Sequence, residues 1–539
     1  MDVMIAVTRR ILCVFPRYEP SLGSFEYAYD VTAGLRAFMP PQGLLVMAAA
    51  LPDGWEVRFR DENIAPARKR DFTWADAVFV SGMHVQRRQI EEICDRAHRF
   101  GKAVALGGPS VSACPEFYPS VDFLHIGEMG DATDALFAHL ATDCTRPAGQ
   151  IRFETKERRA LEDLPIPAYE LVSFDRYFIG SIQFSSGCPY TCEFCDIPGL
   201  YGRVPRLKSP QRIIAELDKL RACGLNTSAY FVDDNLIGNR RALRELLPHL
   251  IEWQERNSFP ISFAFEATLN IARYDDLLEQ MRAACFTAVF CGIETPEQNA
   301  LEAISKEQNL FLPIEEAVRR LNAKGMEVIA GMITGLDSDT PVTADAIVAF
   351  VERNQIPMVT LNLIQALPRT PLWDRLAAEG RLSDDPERES NVIFKRGYDE
   401  VVGDWREALK QIYDPARLFA RYDHLTKTVF PHRRPRPRAP GSVTPKDVRR
   451  GFRMLFKILW KLGVIADYRR EFWNYAQPRL KAGRIEDVIS VGILAKQLIT
   501  FSRKACAGKL NASNYAHKLR RPGPGARVAA WARRLGAAS

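Results

Sequence analysis

The stretch Ser185-Ser186-Gly187-Cys188-Pro189-Tyr190-Thr191-Cys192-Glu193-Phe194-Cys195 comes directly after an apolar, strand-like run through Ile182 and Phe184. It sets three cysteines at C-x3-C-x2-C spacing. A structural zinc ion takes four tetrahedral ligands, usually delivered as two pairs. Disulfides need an even number of thiols and an oxidising compartment. Three close thiolates suit a [4Fe–4S] cluster whose fourth iron stays open for a ligand. The plain alternative is three buried thiols, because free cysteine packs as a small hydrophobe. Only 11 cysteines occur in 539 residues, so three within eight positions favour the cluster.

Toward the C-terminus, apolar runs at Ser228–Val232, Ile261–Glu266, Ala288–Ile293, Val328–Ile333 and Val359–Ile364 succeed a first strand at Ser181–Ser185. Helical stretches separate them: Ile213–Ala222, Arg241–Trp253, Asp275–Ala284, Ile314–Lys324 and Ala344–Arg353. Repeated βα units with right-handed crossovers predict a partial six-stranded barrel over 181–385, its site at the carboxyl ends of the strands. Polar groups fall at those ends: Asp233-Asp234-Asn235, Glu266-Ala267-Thr268, Gly292-Ile293-Glu294-Thr295 and Gly331–Asp337. Any one of them reads equally well as a helix N-cap; four at corresponding ends favour a site. Pro368 and Pro371 predict that regular structure stops in the turn Leu367–Leu372, closing the barrel.

Toward the N-terminus, residues 1–145 alternate short runs (Ile11–Phe15, Val57–Arg60, Ala77–Val80, Ala103–Leu106, Phe123–Ile126) with helical segments such as Pro41–Leu51 and Gln89–Phe100. This predicts an open parallel sheet with helices on both faces. Such sheets bind ligands beyond the carboxyl ends of their strands. The sequences there are Ser81-Gly82-Met83-His84, Gly107-Gly108-Pro109-Ser110 and Gly127-Glu128-Met129-Gly130, where glycines let backbone approach a ligand. Gly-rich turns also serve ordinary loops. Residues 146–180, with Pro165 and Pro167 enforcing extended backbone, read as a connector, and Thr155–Arg159 as solvated surface.

Composition, 47% hydrophobic and 26% charged, is that of a folded chain rather than a disordered one. The N-terminus lacks the apolar core of a signal peptide. The longest apolar stretch, Val488–Phe501, is too short to span a bilayer. Cluster-ligating thiols need a reducing interior, so the expected location is the cytoplasm, with the inner face of a membrane as a candidate contact. The net charge of +7 conceals a split: residues 431–539 carry 25 Lys+Arg against 5 Asp+Glu, a net of +20, which leaves −13 elsewhere. That basic region suggests an anionic partner. Its helical segments are Tyr413–Arg421, Val448–Leu462, Tyr468–Leu480 and Ile485–Ser502, within a mainly helical region 386–520. His432–Arg438 reads as a proline-broken basic linker, and 521–539 as disordered. Arg453, Lys457 and Lys461 share a face with Phe452, Leu455, Phe456, Leu459 and Trp460, a pattern that serves nucleic acid, an anionic membrane or simple solvation.

Cys188–Cys195, with Phe194 at the aromatic position, resembles the C-x3-C-x-aromatic-C signature of radical S-adenosylmethionine (SAM) enzymes. The resemblance implies that Cys188, Cys192 and Cys195 ligate the cluster and that its open iron chelates SAM. It further implies SAM contacts from Phe194, Asp233, Asp234, Asn235, Glu266, Gly292, Glu294 and Gly331. The N-terminal segment resembles the Rossmann-like cobalamin-binding domain that precedes many such barrels. The matching positions are Pro41, Gln42, Ser81, Gly82, Met83, His84, Gly107, Gly108, Pro109, Gly127 and Glu128. The Asp-x-His-x-x-Gly motif whose histidine ligates cobalt is absent, so the resemblance implies cobalamin without a protein histidine on the metal.

Phe15–Tyr18, Phe25–Tyr27, Phe38–Gly43, Ser185–Arg203 and Asn511–Tyr515 look like the hopanoid C-2 methylases among these enzymes. That resemblance implies methylation of an unactivated sp3 ring carbon on a hydrophobic polycyclic lipid. A SAM-derived radical removes hydrogen and methylcobalamin supplies the methyl group, with ferredoxin or flavodoxin as electron donor. No acid or base side chain is needed at the substrate carbon. Alternatives are tetrapyrrole cyclisation, methylation of another lipid, a nucleic-acid-modifying enzyme and, least favoured, a non-catalytic Fe–S or zinc scaffold.

Overall fold

The computed structural model describes residues 8–436 and 444–508. The expected tail 521–539, the Asn511–Tyr515 match and the end of the His432–Arg438 linker lie outside them. Six strands form the first sheet: β1 (Arg10–Phe15), β2 (Glu56–Asp61), β3 (Ala77–Ser81), β4 (Ala103–Gly107), β5 (Phe123–Ile126) and β6 (Ile151–Glu154). Their order is β2-β1-β3-β4-β5-β6 and every pairing is parallel. Ile11, Leu12, Cys13 and Val14 are fully buried, as a central strand covered by helices on both faces requires. Strand order reverses between β1 and β3, and the crevice at such a switch point is where open α/β sheets bind ligands.

β6 is an addition. The connector was expected to begin at 146, but Ile151–Glu154 continues the sheet beside β5. Four half-exposed residues at a sheet edge carry too weak a pattern to announce themselves. Gln42 and Pro40 tie this domain to the next. Ser181 Oγ donates to the Gln42 side-chain carbonyl (2.9 Å) and to the Pro40 carbonyl (3.0 Å), and Tyr169 Oη donates to the Ser181 carbonyl (2.8 Å).

The second sheet runs β7 (Gly180–Ile182), β10 (Ser228–Phe231), β11 (Ser262–Glu266), β12 (Phe286–Glu294), β13 (Glu327–Thr334) and β14 (Met358–Leu363), all parallel and in sequence order. Two short strands, β8 (Ser185–Ser186) and β9 (Arg206–Leu207), pair antiparallel around the cysteine loop. Phe231, Phe263, Phe265 and Phe286 fill the core of this partial barrel with ring centroids 5.1–5.5 Å apart. Pro371 does not stop regular structure. It opens the helix Pro371–Ala378, whose N-cap Thr370 accepts the Trp373 amide, because a proline at the first helical position loses no hydrogen bond.

The C-terminal region is helical, with one difference from expectation. The expected helix Tyr413–Arg421 is helical only from Pro415: Tyr413 and Asp414 join a further helix, Tyr398–Ile412, to Pro415–Thr428. Asp414 caps the second by accepting the Arg417 amide at 3.1 Å, and Pro415 cannot continue the first. These helices cover the open edge of β14. Trp405 donates its indole N–H to the Leu361 carbonyl (2.9 Å), and the Tyr413 hydroxyl accepts the Val359 amide (3.0 Å) and donates to the Val359 carbonyl. A sheet edge so satisfied cannot recruit a further strand. Among the described residues no helix is long and apolar enough to cross a membrane.

Candidate active site

The cysteine loop is held in place by backbone-directed carboxylates. Asp233 is 1% exposed, and its oxygens accept the amides of Phe184 (3.1 Å) and Ser185. Asp234 accepts the Gly187 amide at 2.7 Å. Both residues were expected at SAM. The fold instead commits Asp233 to the strand that feeds the loop and one oxygen of Asp234 to the loop's first turn. Burial raises them to about 7 and about 6, opposed by those same hydrogen bonds. Gly187 itself has φ +100°, and a Cβ there would meet the Gly202 carbonyl at 2.9 Å, so only glycine makes this turn without strain.

Within the loop the Cys188 sulfur lies 3.9 Å from Asn235 Nδ2, and the Cys192 sulfur accepts from Gln308 Nε2 at 3.2 Å. Burial pushes Cys188 up and Cys195 to about 12. Buried thiols of this kind become thiolates when a metal supplies the compensating charge. Among the described residues no three His, Cys, Asp or Glu side chains converge on a single metal-ion position. Sulfur-directed N–H donors such as those of Asn235 and Gln308 are the kind of contact that tunes an iron–sulfur cluster.

Around the loop the strand ends converge. Glu294, at φ +68°, makes a buried ion pair with Lys306, and Lys306 Nζ sits 5.6 Å over the Phe194 ring. Burial opposes the Lys306 charge, but Glu294 and then Cys192 outweigh it and hold the ammonium above its ordinary value. Glu266 accepts the Tyr230 hydroxyl at 3.1 Å and is raised by burial to about 7. Gly331 leaves a cradle: a Cβ there would lie 3.0 Å from the Phe290 ring. Ser185 Oγ, Thr334 Oγ1 and Asn309 Oδ1 are buried polar atoms with no hydrogen-bond partner, as expected where a polar guest completes the site. These residues fit a cluster and SAM. Lys306, Gln308 and Asn309 were missed from sequence. No motif in Ile304-Ser-Lys-Glu-Gln-Asn309 marks them.

At the N-terminal sheet the glycines do what was expected of their conformation. Gly108 (φ +96°) and Gly127 (φ +98°) turn sharply after β4 and β5, with Ser112 Oγ donating to the Gly108 carbonyl and accepting the Gly127 amide, both at 2.9 Å. Ser81 and Gly107 pair at the ends of β3 and β4, and Met83 is exposed there. Gly82 is closely packed, with Ile90 3.0 Å from where a Cβ would stand, and Pro109 starts the short helix Pro109–Ala113. His84 is turned away into the domain, its Nδ1 2.9 Å from Ser110 Oγ, which in turn bonds Tyr118. Burial, then the Arg87 charge, lowers it to about 4. Pro41 is the N-cap of the helix Gln42–Ala49. Gln42 Oε1 is occupied by the interdomain bonds, but its Nε2 is buried without a partner. That orphan buried donor is of the kind a polar ligand such as the corrinoid completes.

The two edges meet. Glu128, beyond β5, is bonded by Arg206 (2.6 Å), Arg158 (3.0 Å) and Ser186 Oγ (3.4 Å), two residues before Cys188. Arg158 also donates to the carbonyls of Leu200 and Tyr201, so Thr155–Arg159 is an interdomain clasp and not mere surface.

Three family models match in tandem: B12 binding domain over 30–137, Radical SAM superfamily over 182–351, and a domain of unknown function, DUF4070, over 370–511. The chain is 54% identical to the "Hopanoid C-2 methylase" of Rhodopseudomonas palustris over 95% of its length and 97% of that protein. This chain belongs to the cobalamin-dependent radical SAM methyltransferases. An "Uncharacterized methyltransferase" of Synechocystis is 36% identical over 87% of each chain. The fold of the methyltransferase is shared with the cobalamin-dependent SAM radical enzyme OxsB (TM-score 0.59, 14% identity, 95% of this chain and 82% of that one). It is also shared with TsrM of Kitasatospora setae (TM-score 0.53, 17% identity, 70% and 80%). The cofactors of the methyltransferase are therefore a [4Fe–4S] cluster, SAM and cobalamin.

Proposed function

We propose that the methyltransferase methylates C-2 of a hopanoid, with Cys188, Cys192 and Cys195 holding the cluster. The observation that carries this is the 54% identity, which extends over 95% of the chain and so takes in the C-terminal helices as well as both cofactor domains. When bound, the cofactors supply a SAM-derived radical at one edge and a transferable methyl group at the other. The protein's own part is placement. Glu294, Lys306 and Phe194 fix the region beside the cluster, with Gly292 and Gly331 leaving room and Asn235, Asn309 and Glu266 offering polar contacts. The turns at Ser81–Met83, Gly107–Pro109 and Gly127 bed the corrinoid, and the Glu128 clasp holds the two edges together.

An sp3 carbon needs no base to lose a hydrogen atom, so Glu266 and Asp234 act on cofactors and backbone and not on the substrate. The electron donor is a small low-potential carrier of ferredoxin or flavodoxin type. The substrate's home in a bilayer places the enzyme at the inner face of a membrane, reached through the basic C-terminal region. The test is the lipid profile of a hopanoid-making strain lacking C-2 methylation. Expression of this chain is expected to add 14 Da to the hopanoid, located at C-2, and unmethylated hopanoid with active SAM cleavage would overturn the substrate assignment.

A further inference from the structure

The basic region was expected to act through charge, and the structure redirects that expectation. Arg433, Arg434 and Arg436 are not offered to a partner. They strap the amino-terminal end of the barrel, donating to the carbonyls of Gly325 and Thr287 (both 3.0 Å), pairing with Glu255 (3.3 Å) and capping the Phe259 carbonyl (3.1 Å). Lys457 turns back to the Thr32 carbonyl (3.0 Å), and Lys461 pairs at the surface with Asp30 (3.8 Å). On its outer side the helix Pro445–Trp460 carries an apolar stripe. Val448, Phe452, Phe456 and Trp460 are all exposed, Phe452 by 65% and Phe456 by 67%. A repeat of four residues places them along one stripe of a helix.

The stripe continues beyond the helix. A wider turn at Lys461–Ile465 comes next, and it leaves Val464 and Ile465 exposed. Trp473 joins them by donating its indole N–H to the Gly463 carbonyl at 2.9 Å, with its ring so close that a Cβ on Gly463 would lie 3.0 Å away. Of the thirteen exposed large hydrophobic residues described, eight fall within 448–485. Scattered singly they would need no explanation; gathered, they mark an interaction surface. The charge around them is one-sided. Residues 445–484 hold eleven Lys and Arg against three Asp and Glu, and Arg449, Arg453, Arg469 and Arg470 are exposed.

We propose that this face is a monotopic membrane anchor that lies in the headgroup region of an anionic phospholipid bilayer, its aromatic stripe in the acyl boundary and its arginines at the phosphates. Aromatic and aliphatic side chains on one side of a short helix, rimmed by arginine, are what an interfacial helix requires, and tryptophan favours that depth. The anchor stands on the loop that leaves the carboxyl end of β1, through Lys457, Lys461 and the Gln497 side chain, whose oxygen accepts the Tyr27 amide at 2.9 Å. Those contacts seat the anchor on the N-terminal domain. Choosing a bilayer over a protein partner rests on the lipid-substrate reading.

The test is flotation of the full chain with vesicles of phosphatidylglycerol and phosphatidylethanolamine, against the triple variant Phe452→Ser, Phe456→Ser, Trp460→Ser. All three positions are exposed, and an unchanged circular dichroism spectrum and melting temperature check that the variant folds. Wild type is expected to float and to stay bound in high salt, with a loss of at least about tenfold in the variant. Equal flotation of the two, or binding lost entirely in high salt, overturns the anchor. A concentration-dependent increase in mass that the variant abolishes, without flotation of the wild type, overturns it in favour of a second copy of the chain. Methylation of detergent-dispersed hopanoid is measured alongside: activity without flotation sinks the anchor alone, and flotation without methylated hopanoid sinks the substrate assignment alone.

Discussion

At the barrel's carboxyl edge, ordering comes from side chains: Asp233 and Asp234 grip backbone amides, Lys306 grips Glu294, and Gln308 points at a cysteine sulfur. At the N-terminal sheet the corresponding edge is built from backbone, with Gly108 and Gly127 in left-handed conformations and His84 folded away. The difference reflects the guests. A cluster and SAM offer charge and chelating groups, which charged side chains must meet in a dry site. A corrinoid is a broad, flat body, best met by backbone that comes close.

The comparison can be broken from either side. The largest effect is expected from Cys192→Ala: loss of the cluster, read as missing iron and missing SAM cleavage, while cobalamin still binds and shows its visible spectrum. Loss of both cofactors together would mean that the two edges do not form independently. Next, Lys306→Met leaves Glu294 buried and unpaired, which costs about 3–5 kcal/mol. A denaturant titration should show that loss, and a shift under about 1 kcal/mol would mean that the pair is solvated.

Gly108→Val tests the other edge. The residue sits at φ +96°, where a Cβ would lie 2.6 Å from Ser81 Oγ, and strain of about 1–3 kcal/mol predicts roughly tenfold to hundredfold weaker cobalamin binding with iron content unchanged. Glu266→Gln gives a smaller, pH-dependent effect. Burial raises Glu266 from 4.5 to about 7, so its contribution is full below pH about 4.5 and is lost as pH rises through 7. Without SAM, the variant should gain stability relative to wild type between those limits, by on the order of 1–3 kcal/mol, and a pH-independent difference would refute the assignment. Least of all, His84→Gln should leave the cobalamin spectrum unaltered, because the buried His84 ring is engaged by Ser110 at Nδ1. A changed cobalt ligand field would place the imidazole on the metal.

Much of the fold was legible because strands and helices write their periods into adjacent residues: all six barrel strands and five of the six sheet strands stand where the apolar runs put them. The helix Tyr398–Ile412 was missed: Val401, Val402, Trp405, Ala408, Leu409 and Ile412 repeat at helical spacing, but the charged residues between them masked the repeat. The site was read less evenly. Cys188 and Asn235, and Phe194 with Lys306 and Glu294, do come together at the barrel's carboxyl edge. Asp233, read as a SAM contact, holds backbone, because an aspartate at a strand end looks the same whether it binds a ligand or an amide 48 residues away.

The set of thiols, the βα rhythm and the glycine turns could be read from the order of residues alone, because each depends on neighbours within a few positions. Which polar groups are already taken could not, and that was settled only on packing. Glu128 finds Arg206 across 78 residues, Arg433 finds the barrel floor across 146, and Lys457 finds Thr32 across 425. A charge is available to a ligand, or a hydrophobe to a membrane, only when no part of the chain has claimed it. Such claims rest on long-range contact, because partners far apart in sequence meet only once the chain has packed.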